Sequence, residues 1–240
     1  MIGDPPVILQ KPLFDPASTP VKNYQANTRT YNAMFSFSSP GMKFDTKFTK
    51  GGGPLTLRLH GHTCHRIRTM LPEIGHPGKY AQLYIFDPGN EIQNWMECFR
   101  DNKHIDKAIV INLSLMLDQH NVHAKAFRMA HDMLQHQNVN DLKLRIISDR
   151  LTDGRLYNKP TISKVAALIV GDINLGTKQD IIIQARGGNL QRIDEFHPSY
   201  PAFQYPLLFP FGEDGYKDNI LHAYQGEIIV TKRNRQTVME

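Results

Sequence analysis

The sequence predicts an α+β fold, mainly antiparallel sheet segments with a central helical region. Three observations carry that expectation. Apolar residues alternate with period two in "PLTLRLHG", where Leu55, Leu57 and Leu59 share one side. Between Ile105 and about His136 the spacing changes to three and four. The last third returns to β-branched runs bounded by turn residues. Strands, then helices, then strands favour α+β over a regular doubly wound sheet.

In chain order, residues 1–28 come first. Pro5, Pro6, Pro12, Pro16 and Pro20 each remove a backbone donor and restrict the preceding residue. They predict an extended proline-rich arm, lying across the body through Val7, Ile8, Leu9, Leu13 and Phe14. The α+β module then spans 29–240, with a sub-boundary near 140–150. "YNAMFSF", Tyr31 to Phe37, alternates loosely and predicts a half-buried strand, followed by a charged, glycine-rich loop. "KYAQLYIFD", Lys79 to Asp87, predicts another strand. "PGNEIQNWMECFR" predicts a short helix with Asn90 as N-cap.

The longest regular pattern follows. Ile109, Leu113, Met116, His120, Ala124, Phe127, Ala130 and Leu134 form one helical face. Asn121 divides this run, since asparagine is a poor helix former and tolerates left-handed backbone. "LKLRIIS", "KVAALIVGD" and "QDIIIQAR" then predict strands, and "RGGNLQRIDEFH" supplies a turn and a fourth. No internal repeat or low-complexity tract interrupts the chain.

The 240 residues suffice for one large domain or two small ones. Lysine and arginine exceed aspartate and glutamate to give a net charge of +5. That surplus permits DNA as a partner without requiring it. Two cysteines, Cys64 and Cys98, make no disulfide framework and favour a reducing compartment. The N-terminus lacks the basic start and apolar run of a secretory signal, and no stretch of about 18 apolar residues exists. A soluble intracellular protein without a membrane partner is expected, nuclear if the source is eukaryotic. The oligomeric state is not legible.

Histidine and cysteine crowd "HGHTCHR". In a strand His60, His62 and Cys64 share one face, so three metal ligands can converge there. No second ligand pair lies at zinc-finger spacing, and polar positions where a strand leaves the sheet explain the cluster more simply. His120, His123, His131 and His136 repeat near one helical turn, which a polar helix flank explains. "GDINLGTKQD" resembles a phosphate loop only loosely; its threonine and lysine stand in the wrong order, and a turn between strands fits it better. Asp194, Glu195 and His197 offer an acid/base group, equally well read as a solvated strand end. Neither cysteine stands in a nucleophile context. No cofactor is expected. Arg58, Arg66 and Arg68 near the histidines, with Lys232, Arg233 and Arg235 near the C-terminus, are the candidate phosphate contacts, weighed against an ordinary solvated surface.

Several segments together resemble a known family. In order, these are "NTRTYNAMFSFSSPG", "GPLTLRLHGHTCHRIRTMLP", "KYAQLYIFDPGNEIQN", "LDQHNVHAKAFRMA", "LYNKPTISKVAALIVGD" and "DIIIQARGGNLQRIDEFHPSYPAFQYPLLFPFGEDGY". They are similar to the protein encoded by Helitron rolling-circle transposons, over roughly residues 28 to 216. The closing "YPLLFPFGEDGY" is the most specific part. Family proteins resemble a nickase fused to a helicase, and the matching stretch precedes the nickase and enters the helicase-like domain.

The resemblance implies that the metal-binding histidine pair, the catalytic tyrosines and the helicase phosphate loop lie beyond Glu240, so no catalytic residue carries over. "HGH", "HTCH" and "HNVH" do not fit the family's pattern of two histidines around one bulky apolar residue. Arg68 stands where the family tends to have glycine, and Trp95 where it tends to have arginine. The implied role is a non-catalytic module that assists DNA engagement or braces the nickase–helicase remainder. A structural scaffold or an inert truncated relic is the alternative, and a metal nuclease built on His60, His62 and Cys64 a third.

The string "YPAFQYPLLFPFGEDGY" has its own expectation. Pro206 and Pro210 fix extended backbone. Phe203, Tyr205, Leu207, Leu208, Phe209 and Phe211 supply area that either wraps the core or faces a partner. "GEDG" turns the chain outward.

Overall fold

Proline at the start of a helix loses nothing, because the first amides of a helix have no internal acceptor. That rule organises the N-terminal region of the chain, seen in a computed structural model that describes residues 4–14, 19–40, 43–44, 59–60, 64–99, 104–136, 142–148, 162, 166–170, 180–186 and 191–215. Helix α1 runs Val7–Phe14 behind Pro5 and Pro6, with the Leu9 amide donating to Pro6 O at 2.8 Å. Helix α2 runs Thr19–Phe35, with Pro20 in its first turn. The extended arm expected over residues 1–28 is therefore helical through most of the described part. At Asn27 the backbone leaves helical values (φ −115°, ψ 16°), and the Asn27 and Thr28 side chains donate back to Asn23 O and Tyr24 O. Such back-bonding bends a helix. Tyr31, Met34 and Phe35 are buried at spacing i, i+3, i+4, so the strand expected from Tyr31 begins as the last turn of α2.

The segment Lys79–Asp87 also differs from expectation. It holds a five-residue helix, α3 (Ala81–Ile85), whose residues are all buried. An element buried on every side has no periodicity to betray it. Helix α4 (Glu91–Cys98) starts at Asn90 as expected. The Asn90 side chain binds Asp87 rather than the helix amides.

Helices α5 (Lys107–His120) and α6 (Val122–His136) meet at Asn121. The break falls where the sequence puts it, for another reason. Asn121 is extended (φ −80°, ψ 123°), not left-handed, and its Oδ1 accepts from the His123 and Ala124 amides at 2.9 and 3.1 Å. It is an N-cap for α6. Leu113, Met116, Ala124, Phe127 and Ala130 of the expected face are buried.

All described strand pairs are antiparallel. Strands β1 (Ser39–Pro40), β4 (His65–Ile67) and β8 (Gln191–Ile193) form one small sheet in the order β1-β4-β8. Strands β2 (Lys43–Phe44) and β3 (Leu59–His60) form a two-stranded ribbon. Strands β5 (Leu142–Ile146), β6 (Ala166–Val170) and β7 (Ile181–Gln184) form a third sheet in the order β6-β5-β7. In β5 buried and half-buried residues alternate, with Leu142, Leu144 and Ile146 facing the core. The buried Asp180 carboxylate closes this sheet. It accepts from Arg145 Nε at 2.7 Å and from the Ser148 amide and hydroxyl at 2.8 and 2.9 Å. The turn expected over 171–179 lies outside the described residues.

The core is aromatic at its centre. Phe37 sits within 6.2 Å, between ring centroids, of Tyr84, Phe127, Phe203 and His123. Trp95, fully buried, lies edge-on to Phe35 and Tyr84. Against the core, Arg128 crosses from α6 to Glu91, Asp118 and Tyr84 O, while Ser114 donates to Glu91.

The aromatic–proline string joins this core as helix and turns rather than extended chain. A short helix, α7 (Tyr200–Gln204), carries proline in its first turn and buries Phe203. The Phe37 amide donates to Phe203 O, Asn32 binds Gln204 O, Asn121 binds Phe209 O, and the Val122 amide donates to Phe211 O. Pro206, Leu207, Pro210 and Phe211 are buried and Phe209 is half-buried, whereas Tyr205 and Leu208 face solvent, Leu208 at 71% exposure. At Gly212 φ is +76°, and a Cβ there would lie 2.7 Å from Val122 Cγ1, so this turn requires glycine.

Candidate nucleic-acid interface

Three exposed cations, Arg68, Lys79 and Arg186, stand at strand ends and at the end of a loop. The segment after β4 runs alongside β7, where the Met70 and Leu71 amides donate to Gln184 O and Ala185 O at 2.9 and 3.1 Å. Those two bonds bring Arg68, just after β4, near Arg186, just after β7. The loop 71–80 then folds back and delivers Lys79. Arg68, Lys79 and Arg186 line one open cleft of about 630 Å³. Glu73 and His76 line it too, and among the described lining residues Glu73 is the sole carboxylate. Leu71, Pro72, Ile74 and Pro77 give it an apolar lining.

Hydrogen bonds hold the loop from behind. Gln82, 5% exposed at the start of α3, donates to Thr69 O at 3.0 Å and Leu71 O at 3.2 Å and accepts from the Lys79 amide at 3.1 Å. Both ends of the side chain are used, so Gln82 shapes the cleft and leaves ligand contacts to the cations. Tyr80 precedes α3 at φ +56°, ψ −127°, the sole non-glycine residue with positive φ among the described residues. Such backbone costs on the order of 1–3 kcal/mol and persists only where its surroundings impose it. Burial pushes the Tyr80 phenol up, Cys98 adds to that, and Arg68 pulls the other way. The Cys98 side chain is exposed, and partial desolvation raises its thiol, with Lys79 opposing.

The expected site residues divide. Arg68 lines the cleft and Arg66 lies on β4 beside it. Arg58, Lys232, Arg233 and Arg235 lie outside the described residues. Of the metal trio, Cys64 is buried; only the backbone of His60 is described, in β3; and His62 lies outside the described residues. Among the described residues no group of three or more histidine, cysteine, aspartate or glutamate side chains is placed to hold a metal.

His65 meets Ser38 Oγ at 3.1 Å and packs against Tyr200, and burial lowers its pKa. Among the helical histidines, His123 is not on a polar flank: it is fully buried between Phe37 and Phe203. The Asp194–His197 group is a turn. Asp194 accepts from the Phe196 amide, and His197 Nδ1 accepts from the Ser199 amide inside the core. Lys79 and Arg186 escaped the sequence reading because neither stands in a basic run; the 70–71 to 184–185 pairing brings Arg186 to Arg68, and the loop 71–80 brings Lys79.

No helix among the described residues is long and apolar enough to cross a membrane. No protein-family model matches this chain, and no curated protein shows significant similarity to it, so the Helitron resemblance rests on the quoted residues alone.

Proposed function

We propose that this chain is a non-catalytic module of a Helitron-type transposon protein that engages nucleic acid through its phosphodiester backbone. One observation carries the reading: Arg68, Lys79 and Arg186 arrive from three separate segments at one cleft whose loop Gln82 holds in place. Converging cations on a fixed scaffold suit phosphate contact, since neutralised phosphates release counterions. Base reading is not expected, because the described residues of the cleft offer no aromatic platform beyond His76 and no free side-chain amide.

The test is a titration of the whole chain with single- and double-stranded oligonucleotides from about 50 to about 200 mM salt. Affinity should fall steeply with salt, and Arg186→Gln should shallow the dependence by about one unit on a log–log plot. Salt-independent or undetectable binding defeats the proposal.

A second reading, a scaffold for a protein partner, is favoured by Tyr205 and Leu208, which project from a largely buried or half-buried string at 43% and 71% exposure. Capture of a nickase–helicase remainder by the wild type, lost in Leu208→Asp with oligonucleotide binding intact, would select that reading.

A further inference from the structure

Cross-strand register shows a feature that the cleft does not use. In the sheet β1-β4-β8, Arg66 stands directly opposite Arg192, and Ser39 stands opposite Arg66 on the other side. Residues directly opposite in an antiparallel pair project from the same face. Ile67 and Ile193 are buried and belong to the alternate rows, so Arg66 and Arg192 share the outer face. Two like charges in this position repel and destabilise the sheet.

The surrounding charge does little to offset that repulsion. Glu195 approaches Arg192 at 3.8 Å, but both side chains are more than half exposed, and such a pair contributes little. Among the described residues no carboxylate pairs with Arg66. Two residues farther along the chain, Arg68 turns into the cleft.

We propose that Arg66 and Arg192 form a second phosphate-contact site, which continues the cleft across the outer face of the small sheet and takes a neighbouring phosphodiester of the same strand. Arg68 joins the two parts. The ligand is then an extended polyanion crossing β4 and β8, rather than a compact nucleotide seated in the cleft alone. Guanidinium pairs suit this contact, because each presents a planar fork of donors to phosphate oxygens. The inference rests on the nucleic-acid reading above and adds a surface to it.

The experiment compares wild type, Arg192→Gln, Arg192→Lys, Arg66→Gln and Arg186→Gln. Labelled oligonucleotides of about four and about sixteen nucleotides are used, single- and double-stranded, which also distinguishes the two sources of phosphodiester. Arg192→Gln and Arg66→Gln should each weaken binding of the longer oligonucleotide and lower its salt slope by about 0.7 to 0.9. Binding of the shorter one in the cleft should be unchanged. Arg192→Lys should keep the slope, because it keeps the charge. Thermal melting of both glutamine variants should stay level or rise, since a repulsion is removed; a structural arginine would give the opposite.

If Arg186→Gln lowers the slope while Arg192→Gln and Arg66→Gln leave it at the wild-type value, the second site is refuted and the cleft stands. If the wild type binds no oligonucleotide, both readings fall.

Discussion

Replacing Arg128 with methionine tests how the helical layer is held. Arg128 donates from Nε and from one terminal nitrogen to the two Asp118 oxygens at 3.0 Å each. It also donates to Tyr84 O at 2.9 Å and to Glu91 Oε2, and its guanidinium lies 5.4 Å from the Tyr84 ring centre. The Glu91 side chain is 11% exposed and that of Arg128 is 21% exposed, so solvent cannot replace most of these contacts. Methionine fills much of the space but leaves a buried carboxylate without its counter-ion. Breaking such a pair costs about 3–5 kcal/mol.

The loss should depend on pH in a defined direction. Burial raises the Glu91 carboxyl above its ordinary range, and Arg128 opposes that rise. A carboxyl raised in the folded state binds its proton more tightly folded than unfolded. Its stabilising contribution is fully present below the unfolded pKa and is lost as pH rises through the folded pKa. Without Arg128 the Glu91 carboxyl rises further, so the deficit of the variant should widen from about pH 4 to about pH 7. Urea unfolding at both values measures this. Adding Glu91→Gln should recover about 1–3 kcal/mol at neutral pH, because no buried carboxylate then lacks a partner. A loss below about 1 kcal/mol, or a deficit that does not narrow in acid, refutes the reasoning, since an exposed pair behaves that way.

Further outcomes follow from the same geometry. Phe203→Ala should cost about 3–5 kcal/mol in urea unfolding, because it empties the contact between the aromatic string and Phe37, Phe127 and His123. Gly212→Ala should destabilise by about 2 kcal/mol or more, since φ is +76° and the new methyl meets Val122 and His123; Gly75→Ala, at φ +81° with nothing within 4 Å, should cost only about 1–2 kcal/mol. Asp180→Ala should cost about 3–5 kcal/mol, because the fully buried carboxylate holds Arg145 and Ser148 together.

Helices α4 and α6 were legible because each carries a polar and an apolar side, which writes a period into the chain; α5 was legible from the three-and-four spacing of its buried residues, although Ile111 and Leu115 face solvent. The β5, β6 and β7 strands were legible as β-branched runs between turns. Helix α3 was not, since all five of its residues are buried and leave no alternation to read. Helices α1 and α2 hid behind their prolines: Pro5, Pro6 and Pro20 suit a helix start, while Pro12 stands inside α1, where proline argues against a helix. Asn121 marked a real boundary, through side-chain capping rather than a left-handed turn.

The candidate interface was half visible. Arg66 and Arg68 stand in a basic stretch, but Arg192 faces Arg66 only through the β4–β8 register, and Lys79 and Arg186 meet Arg68 only through the loop bonded to β7. Long-range pairing leaves no local pattern, so charge counting finds the arginines that are neighbours in sequence and misses those that are neighbours in space.

Backbone hydrogen exchange, with and without a single-stranded oligonucleotide at low salt, reads the location of binding directly. Slowed exchange confined to residues 66–82, 184–186 and 191–193 is the expected result. Binding that instead protects the α5–α6 layer, or that leaves residues 66–82 exchanging as in the free protein, contradicts the assignment of this basic cleft as the nucleic-acid contact.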